Sequence, residues 1–140
     1  MREIPRGIHY AMGAELHAVL PLDKYDAGKI ERLREIGYPG IEPLLPALLE
    51  WLQDGNWPIA RNLSPFLASI GLPLVPHIRA VLSTSDGLWK YWVLSTVVAV
   101  SAELRHALRP ELECIAHSPS HDERAEEVDL YALELLAEKE

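Results

Sequence analysis

From Asp86 to Val100 the chain reads DGLWKYWVLSTVVAV. Trp89, Trp92, Val93, Thr96, Val97 and Val100 fall on one face of a helix, at i, i+3, i+4, i+7, i+8 and i+11. Tyr91, Leu94 and Val98 make the opposite face apolar as well, and Lys90 is the only charge between Leu88 and Ala102. A helix that is apolar all round has to be covered on both sides. The pattern therefore predicts a central helix over 88–100, flanked by others. Its opening is repeated. Asp54-Gly55-Asn56-Trp57 and Asp86-Gly87-Leu88-Trp89 share D-G-x-W at a spacing of 32 residues.

The same reading along the chain predicts a series of helical hairpins. Residues 14–20 suit a short helix ended by Pro21. Asp26 suits the N-cap of a helix over 27–36 with Ile30, Leu33 and Ile36 inward and Gly37 as its stop. Ile41 to Gln53 carries Leu45, Leu48, Leu49 and Leu52 on one face, and Pro43 and Pro46 predict a bent or two-piece helix. A partner follows over 57–70, with Pro58 in its first turn, Pro65 as a kink and Gly71 as its end. Residues 73–82, interrupted at Pro76, pair with 88–100. Residues 101–117, bent at Pro110, pair with a helix over 125–139, and 118–122 form the turn between them. Pro46, Pro76 and Pro110 stand early in the three first helices, 30 and 34 residues apart, and that is the period of a stack of helix pairs.

Composition narrows the class without naming a task. With 140 residues and 49% apolar content the chain can bury a real core as one domain over 20–140, preceded by an arm or short helix over 1–19. The net charge is −8, and residues 122–140, with eight acids and two bases, carry −6 of it. No basic stripe suited to phosphates stands out, so nucleic acid is not an expected partner. A single Cys114 cannot form an internal disulfide, and this points to a reducing cytoplasm. No apolar run reaches signal-peptide or membrane-span length, so no membrane association is expected.

Each cluster that invites chemistry has a plainer reading. His117, His121 and Asp122 lie within six residues, but zinc needs three or four converging ligands and no second cluster is present, so no metal and no cofactor is expected. His77 has no nucleophile or acid at a telling spacing and is read as a helix-face histidine with a hydrogen-bond partner. Cys114, next to the inward Ile115, is read as packing rather than as a nucleophile. Asp54 and Asp86 are read as turn and cap residues accepting from the following backbone. No catalytic set emerges. The aromatics are more suggestive. Trp51 and Trp92 are expected in the core, whereas Trp57, Arg61, Trp89, Lys90 and Tyr91 are placed on the layer of second helices as a candidate binding surface, being residue types that dominate interfaces. The acidic C-terminal helix is expected to be a solvated cap.

A proline-bearing first helix, an aspartate-containing turn and an apolar second helix resemble HEAT-type repeats. The stretches LPLDKYD (20–26), PALLEWLQDGNWPIA (46–60), VPHIRAVL (75–82), WKYW (89–92) and EEVD (126–129) also resemble a bacterial family known only as a domain of unknown function, numbered five thousand and seventy-one. The resemblance covers residues 20–140 and implies an all-α fold, a short right-handed α-solenoid of about three HEAT-like hairpins plus one or two N-terminal helices. It brings no activity, cofactor or catalytic residue. The leading expectation is a cytoplasmic, non-catalytic module, monomer or homodimer, that binds an unidentified protein or peptide. The alternatives are a HEAT-like enzyme acting on nucleic-acid bases and a toxin-neutralising, immunity-type partner.

Overall fold

The computed structural model describes residues 16–26 and 28–138. Of the expected arm or short helix over 1–19, residues 1–15 lie outside them, and of the expected helix over 14–20 only the part from Leu16 is described. The described residues contain helices and turns and no strand. They form nine α-helices: α1 Lys29–Ile36, α2 Leu45–Glu50, α3 Pro58–Ile70, α4 Val75–Leu82, α5 Gly87–Val93, α6 Ala102–Ala107, α7 Arg109–His117, α8 His121–Ala125 and α9 Val128–Ala137. No single helix among them is long and apolar enough to cross a membrane.

Proline and glycine set most of the boundaries, as backbone chemistry requires. Pro58 occupies the first turn of α3, where a missing N–H costs no helical hydrogen bond, and α3 runs on through Pro65 to Ile70. Gly37 (φ +69°) and Gly71 (φ +79°) end α1 and α3 in a region that disfavours side chains. The residues around Pro46 and Pro76 are not interruptions. Short 3₁₀ turns at Glu42–Leu44 and Leu72–Leu74 lead into α2 and α4, and each proline sits in the first turn of the α-helix that follows. These two units superpose in sequence at an offset of 30, and Leu44/Leu74, Leu45/Val75 and Leu48/Ile78 are buried in both. In the third unit α6 replaces the 3₁₀ turn, and Pro110 stands in the first turn of α7, so the chain bends at Leu108.

Three expected boundaries differ. Asp26 does not cap α1, which begins at Lys29 after Gly28. Its carboxylate instead accepts from the Leu22 N–H at 2.9 Å and closes the preceding turn. Residue 27 lies outside the described set. The central helix is not continuous to Val100. After Val93 it widens to a π turn over Leu94–Val98, in which Ala99 N–H reaches back five residues to the Leu94 carbonyl at 2.8 Å, and Val100 is left 66% exposed. The last helix is split into α8 and α9, because His121 already begins a helix and Glu127 adopts a left-handed conformation (φ +59°).

The core runs through all the units and includes Leu33, Leu44, Leu48, Leu63, Leu67, Ile78, Val93, Leu94, Val97, Leu104 and Val128. Both faces of the α5–π segment are covered, as its pattern requires, since Val93, Leu94, Val97 and Val98 are fully buried. The first helices are bridged at their surface. His77 Nε2 on α4 lies 3.2 Å from Glu42 Oε2 in the earlier unit, and Arg79 Nε donates to Glu111 Oε2 in the later one at 2.7 Å.

Candidate binding groove

The two D-G-x-W corners stand at the starts of second helices but enter them differently. Asp54 Oδ1 accepts from the Asn56 N–H at 2.8 Å, and the helix waits for Pro58, so Trp57 is its N-cap residue. Asp86 Oδ1 accepts from the Trp89 N–H at 3.0 Å and caps α5 directly, so Trp89 lies inside the helix. The same four-residue pattern thus enters its helix three residues sooner in the later unit. The glycines are required for close approach. A Cβ on Gly55 would lie 2.1 Å from the Trp92 ring, and one on Gly87 would lie 2.2 Å from the Asp122 carbonyl oxygen.

These contacts draw the expected aromatic surface inward. Trp57 is half-buried and meets Trp51 edge to face, with centroids 5.8 Å apart. Trp89 is half-buried and donates its indole N–H to the Leu49 carbonyl at 2.9 Å. Tyr91 packs edge-on against both Trp92 and Tyr131, each at 5.4 Å. Trp51 and Trp92, expected in the core, are half-buried as well.

Lys90 corrects the expectation most sharply. It does not project from the surface. Its side chain is 2% exposed, with Nζ 2.7 Å from Asp122 Oδ2 and donating to Glu123 Oε2 at 2.8 Å. Asp122 and Glu123, counted in sequence among the solvated acids, begin α8. Glu123 also closes a capping box with Ser120, whose N–H it accepts at 2.9 Å. Burial disfavours the charged form of all three groups, yet the opposite charges prevail. Lys90 is held above its ordinary value, and Asp122 and Glu123 are held below theirs. The S-x-x-E spacing at Ser120–Glu123 was the available sequence signal for this cap, but nothing local points from it to Lys90.

The histidine and cysteine readings separate. His77 is a helix-face histidine beside Glu42. His117 pairs with Glu113 on its own helix at 3.5 Å, and Asp122 turns to Lys90. Among the described residues no three His, Cys, Asp or Glu side chains converge as metal ligands. Cys114 is exposed rather than packed, because Leu112 and Ile115 set the inward face of α7 and residue 114 lies about 100° from the latter.

Of the five expected binding residues only Arg61 lines a surface groove. An open groove of about 660 Å³ runs between α3 and the π turn, bounded by Gly55, Arg61, Ser64, Pro65, Ala68, Ser69, Thr96, Val100 and Ser101. The sequence explains its shape. Pro65 has no N–H, so the Arg61 carbonyl lacks its ordinary i+4 donor. Small residues at 64, 68 and 69 keep the α3 wall low. On the opposite wall Thr96 Oγ1 donates to the Trp92 carbonyl at 2.6 Å, and the Ser101 hydroxyl caps α6 by accepting from the Leu104 N–H at 3.2 Å. Ser64 is 7% exposed, and its hydroxyl has no hydrogen-bond partner among the described residues. Arg61 is exposed, reaches the Asn56 carbonyl at 3.4 Å, and pairs with no carboxylate among the described residues.

A model of the family described as a domain of unknown function (DUF5071) matches residues 19–136. No curated protein matches the chain.

Proposed function

The chain belongs to the DUF5071 family, and from that premise we propose that it is a non-catalytic module that binds a protein or peptide segment in the groove between α3 and the π turn. The observation that carries the reading is the groove itself. About 660 Å³ lies within the size range of ligand sites. Its walls mix apolar contact from Pro65, Ala68 and Val100 with hydroxyls and one guanidinium, a lining suited to an extended chain. A π turn forms one wall, and such turns cost hydrogen-bond geometry and are frequent at functional positions.

On this reading the units form a short right-handed HEAT-like stack working in the cytoplasm. The 30-residue offset between the units at Glu42 and Leu72 and the surface bridges between first helices support the stack. The second helices then supply the binding face, with Arg61 on it. Trp57, Trp89 and Tyr91 shape that layer from beneath rather than contacting the partner with their whole rings.

Filling the groove tests the reading. Val100 is 66% exposed, so Val100→Trp adds bulk at the rim without disturbing the core. Partners captured from extract by the wild-type protein should be lost with Val100→Trp while the thermal unfolding midpoint stays unchanged. The same partners bound equally by the filled groove would exclude it as the site.

A further inference from the structure

The last helix carries an apolar pattern like that of the central segment. α9 reads VDLYALELLA, with Asp129 and Glu134 as its only charges. A helix apolar on all sides is ordinarily covered on both faces. One face of α9 is covered. Val128, Ala132 and Leu135 are buried, the helix packs on α7 and α5, and Tyr131 meets Tyr91 edge-on. The opposite face is bare. Leu130 is 52% exposed, Leu133 is 44% exposed, and Ala137 is exposed as well. These three stand at i, i+3 and i+7, so they form one stripe roughly 10 Å long on the outside of the helix. Its borders are all of one sign. Helical spacing puts Asp129 on one flank and Glu134 on the other, Glu126 and Glu127 precede the stripe, and Glu138 follows it. There is no base from Ala125 to Glu138, and none of the five carboxylates pairs with a base among the described residues. The Tyr131 hydroxyl registers the same field. Burial first, and then Tyr91, Glu134 and Glu138, hold it above its ordinary value.

We propose that the outer face of α9 docks an amphipathic helix of another protein, one that carries Lys or Arg on both flanks of its own apolar stripe. This surface is separate from the groove, and the inference does not rest on the groove reading. The spacing of Leu130, Leu133 and Ala137 is that of one helix packing lengthwise against another, in which apolar seam positions meet and the flanking positions select the partner by charge. Asp129 and Glu134 occupy those flanking positions. With acids on both sides the face fits a helix with bases on both sides. A second copy of this chain fits poorly, because a parallel or an antiparallel pairing of two such faces sets carboxylate against carboxylate. An anionic lipid surface is repelled by the same groups. The stripe is short, so the contact is reversible. Burial of the leucines supplies the attraction at close range, and the acidic border speeds encounter and rejects partners of the wrong sign.

The test titrates the full chain into labelled synthetic helical peptides of about three heptads, read by fluorescence anisotropy. One peptide has Leu along its seam and Lys on both flanks. A second has Glu on the flanks. A third has the composition of the Lys peptide with its leucines scattered round the helix. The Lys peptide should bind, more weakly as salt is added, and the other two should bind about tenfold less tightly or worse. Leu130→Gln with Leu133→Gln keeps every charge, and it should weaken binding of the Lys peptide about tenfold while circular dichroism stays unchanged. Glu134→Lys should weaken the Lys peptide and strengthen the Glu peptide. Val100→Trp should leave binding as it is. No binding of the Lys peptide overturns the proposal. So does equal binding of the scattered peptide, or equal binding by the double Gln variant, since either reduces the effect to attraction between a basic peptide and an acidic chain. Loss of binding in Val100→Trp moves the contact to the groove and overturns the assignment to α9. A dimer in sedimentation that the double Gln variant dissociates gives the face to a second copy and overturns the heterotypic partner. The first three of these failures leave the groove reading standing, because none of them concerns the groove.

Discussion

The Lys90 ammonium, on a side chain 2% exposed, donates to Glu123 at 2.8 Å across 33 residues of chain, and so ties α5 to the capping box that starts α8. Asp122 stands 2.7 Å from the same nitrogen and is held in place by the Ser120 hydroxyl at 2.6 Å. One cation thus answers two carboxylates where none could remain unpaired cheaply. Lys90→Met keeps much of the aliphatic stem but strands both acids, and should destabilise by about 3 kcal/mol in urea unfolding. Adding Asp122→Asn and Glu123→Gln to that variant should restore part of the loss, because amides bury more easily and Gln still serves a capping box. A triple variant less stable than Lys90→Met alone would contradict this account.

The same cluster sets a pH window. Asp122 and Glu123 are depressed below their ordinary values of 3.8 and 4.5, so their contribution is complete above those values and is lost as pH falls through the lower folded-state values. Lys90 is raised above its ordinary value of 10.5, so its contribution is present below that value and is lost as pH rises through the higher folded-state value. Urea midpoints should be level between these limits and should drop on both sides. In Lys90→Met the acid limb should be shallower, since the cation that depresses the two carboxylates is gone. Equal acid limbs in the two proteins would place the pH dependence elsewhere.

Two glycines are closed to any side chain for reasons of contact rather than of backbone angle. Gly55→Ala drives a methyl into the Trp92 ring, and Gly87→Ala drives one into the Asp122 carbonyl. Each should cost about 1–3 kcal/mol or more. Gly87→Ala should be the worse, because a backbone carbonyl yields less readily than a side chain. Gly28→Ala meets nothing within 4 Å and should be close to neutral. Thermal unfolding of the three variants would show this order or refute it.

The groove and the aromatic layer should also separate in behaviour. Ser64→Ala removes a hydroxyl from the groove lining that makes no hydrogen bond to another described residue, so the fold should be nearly unchanged while affinity for a groove-bound partner falls. Trp89→Phe removes the hydrogen bond to the Leu49 carbonyl and should cost about 1 kcal/mol of stability with little change in affinity. Paired unfolding and titration measurements distinguish the two. A Ser64→Ala protein that loses stability in proportion to affinity would make Ser64 a structural residue.

Much of the architecture could be read before any coordinate. Pro58 beginning α3, Gly37 and Gly71 ending α1 and α3, Asp86 capping α5 and the 30-residue offset between Pro46 and Pro76 all stand where local pattern places them. The site was less readable. The pattern puts Arg61 on a binding layer, and it does line the groove, but the same pattern puts Lys90 beside it, and Lys90 is buried. A lone charge on an apolar helix has no local partner, so local pattern points Lys90 outward. Its partners lie at the start of α8, and the S-x-x-E signal there predicts a cap and says nothing of what covers it.

The amino-acid order alone determined the all-helical character of the described chain and most of its punctuation, because ring closure in proline, the missing Cβ of glycine and the spacing of apolar residues act within a turn or two of helix. Tertiary structure decided which charges are buried, where the central helix widens to a π turn, and that α3 and that turn leave a groove between them. Those outcomes depend on groups brought together from distant parts of the chain, such as Lys90 with Glu123 and Trp89 with Leu49, and no local rule carries that information.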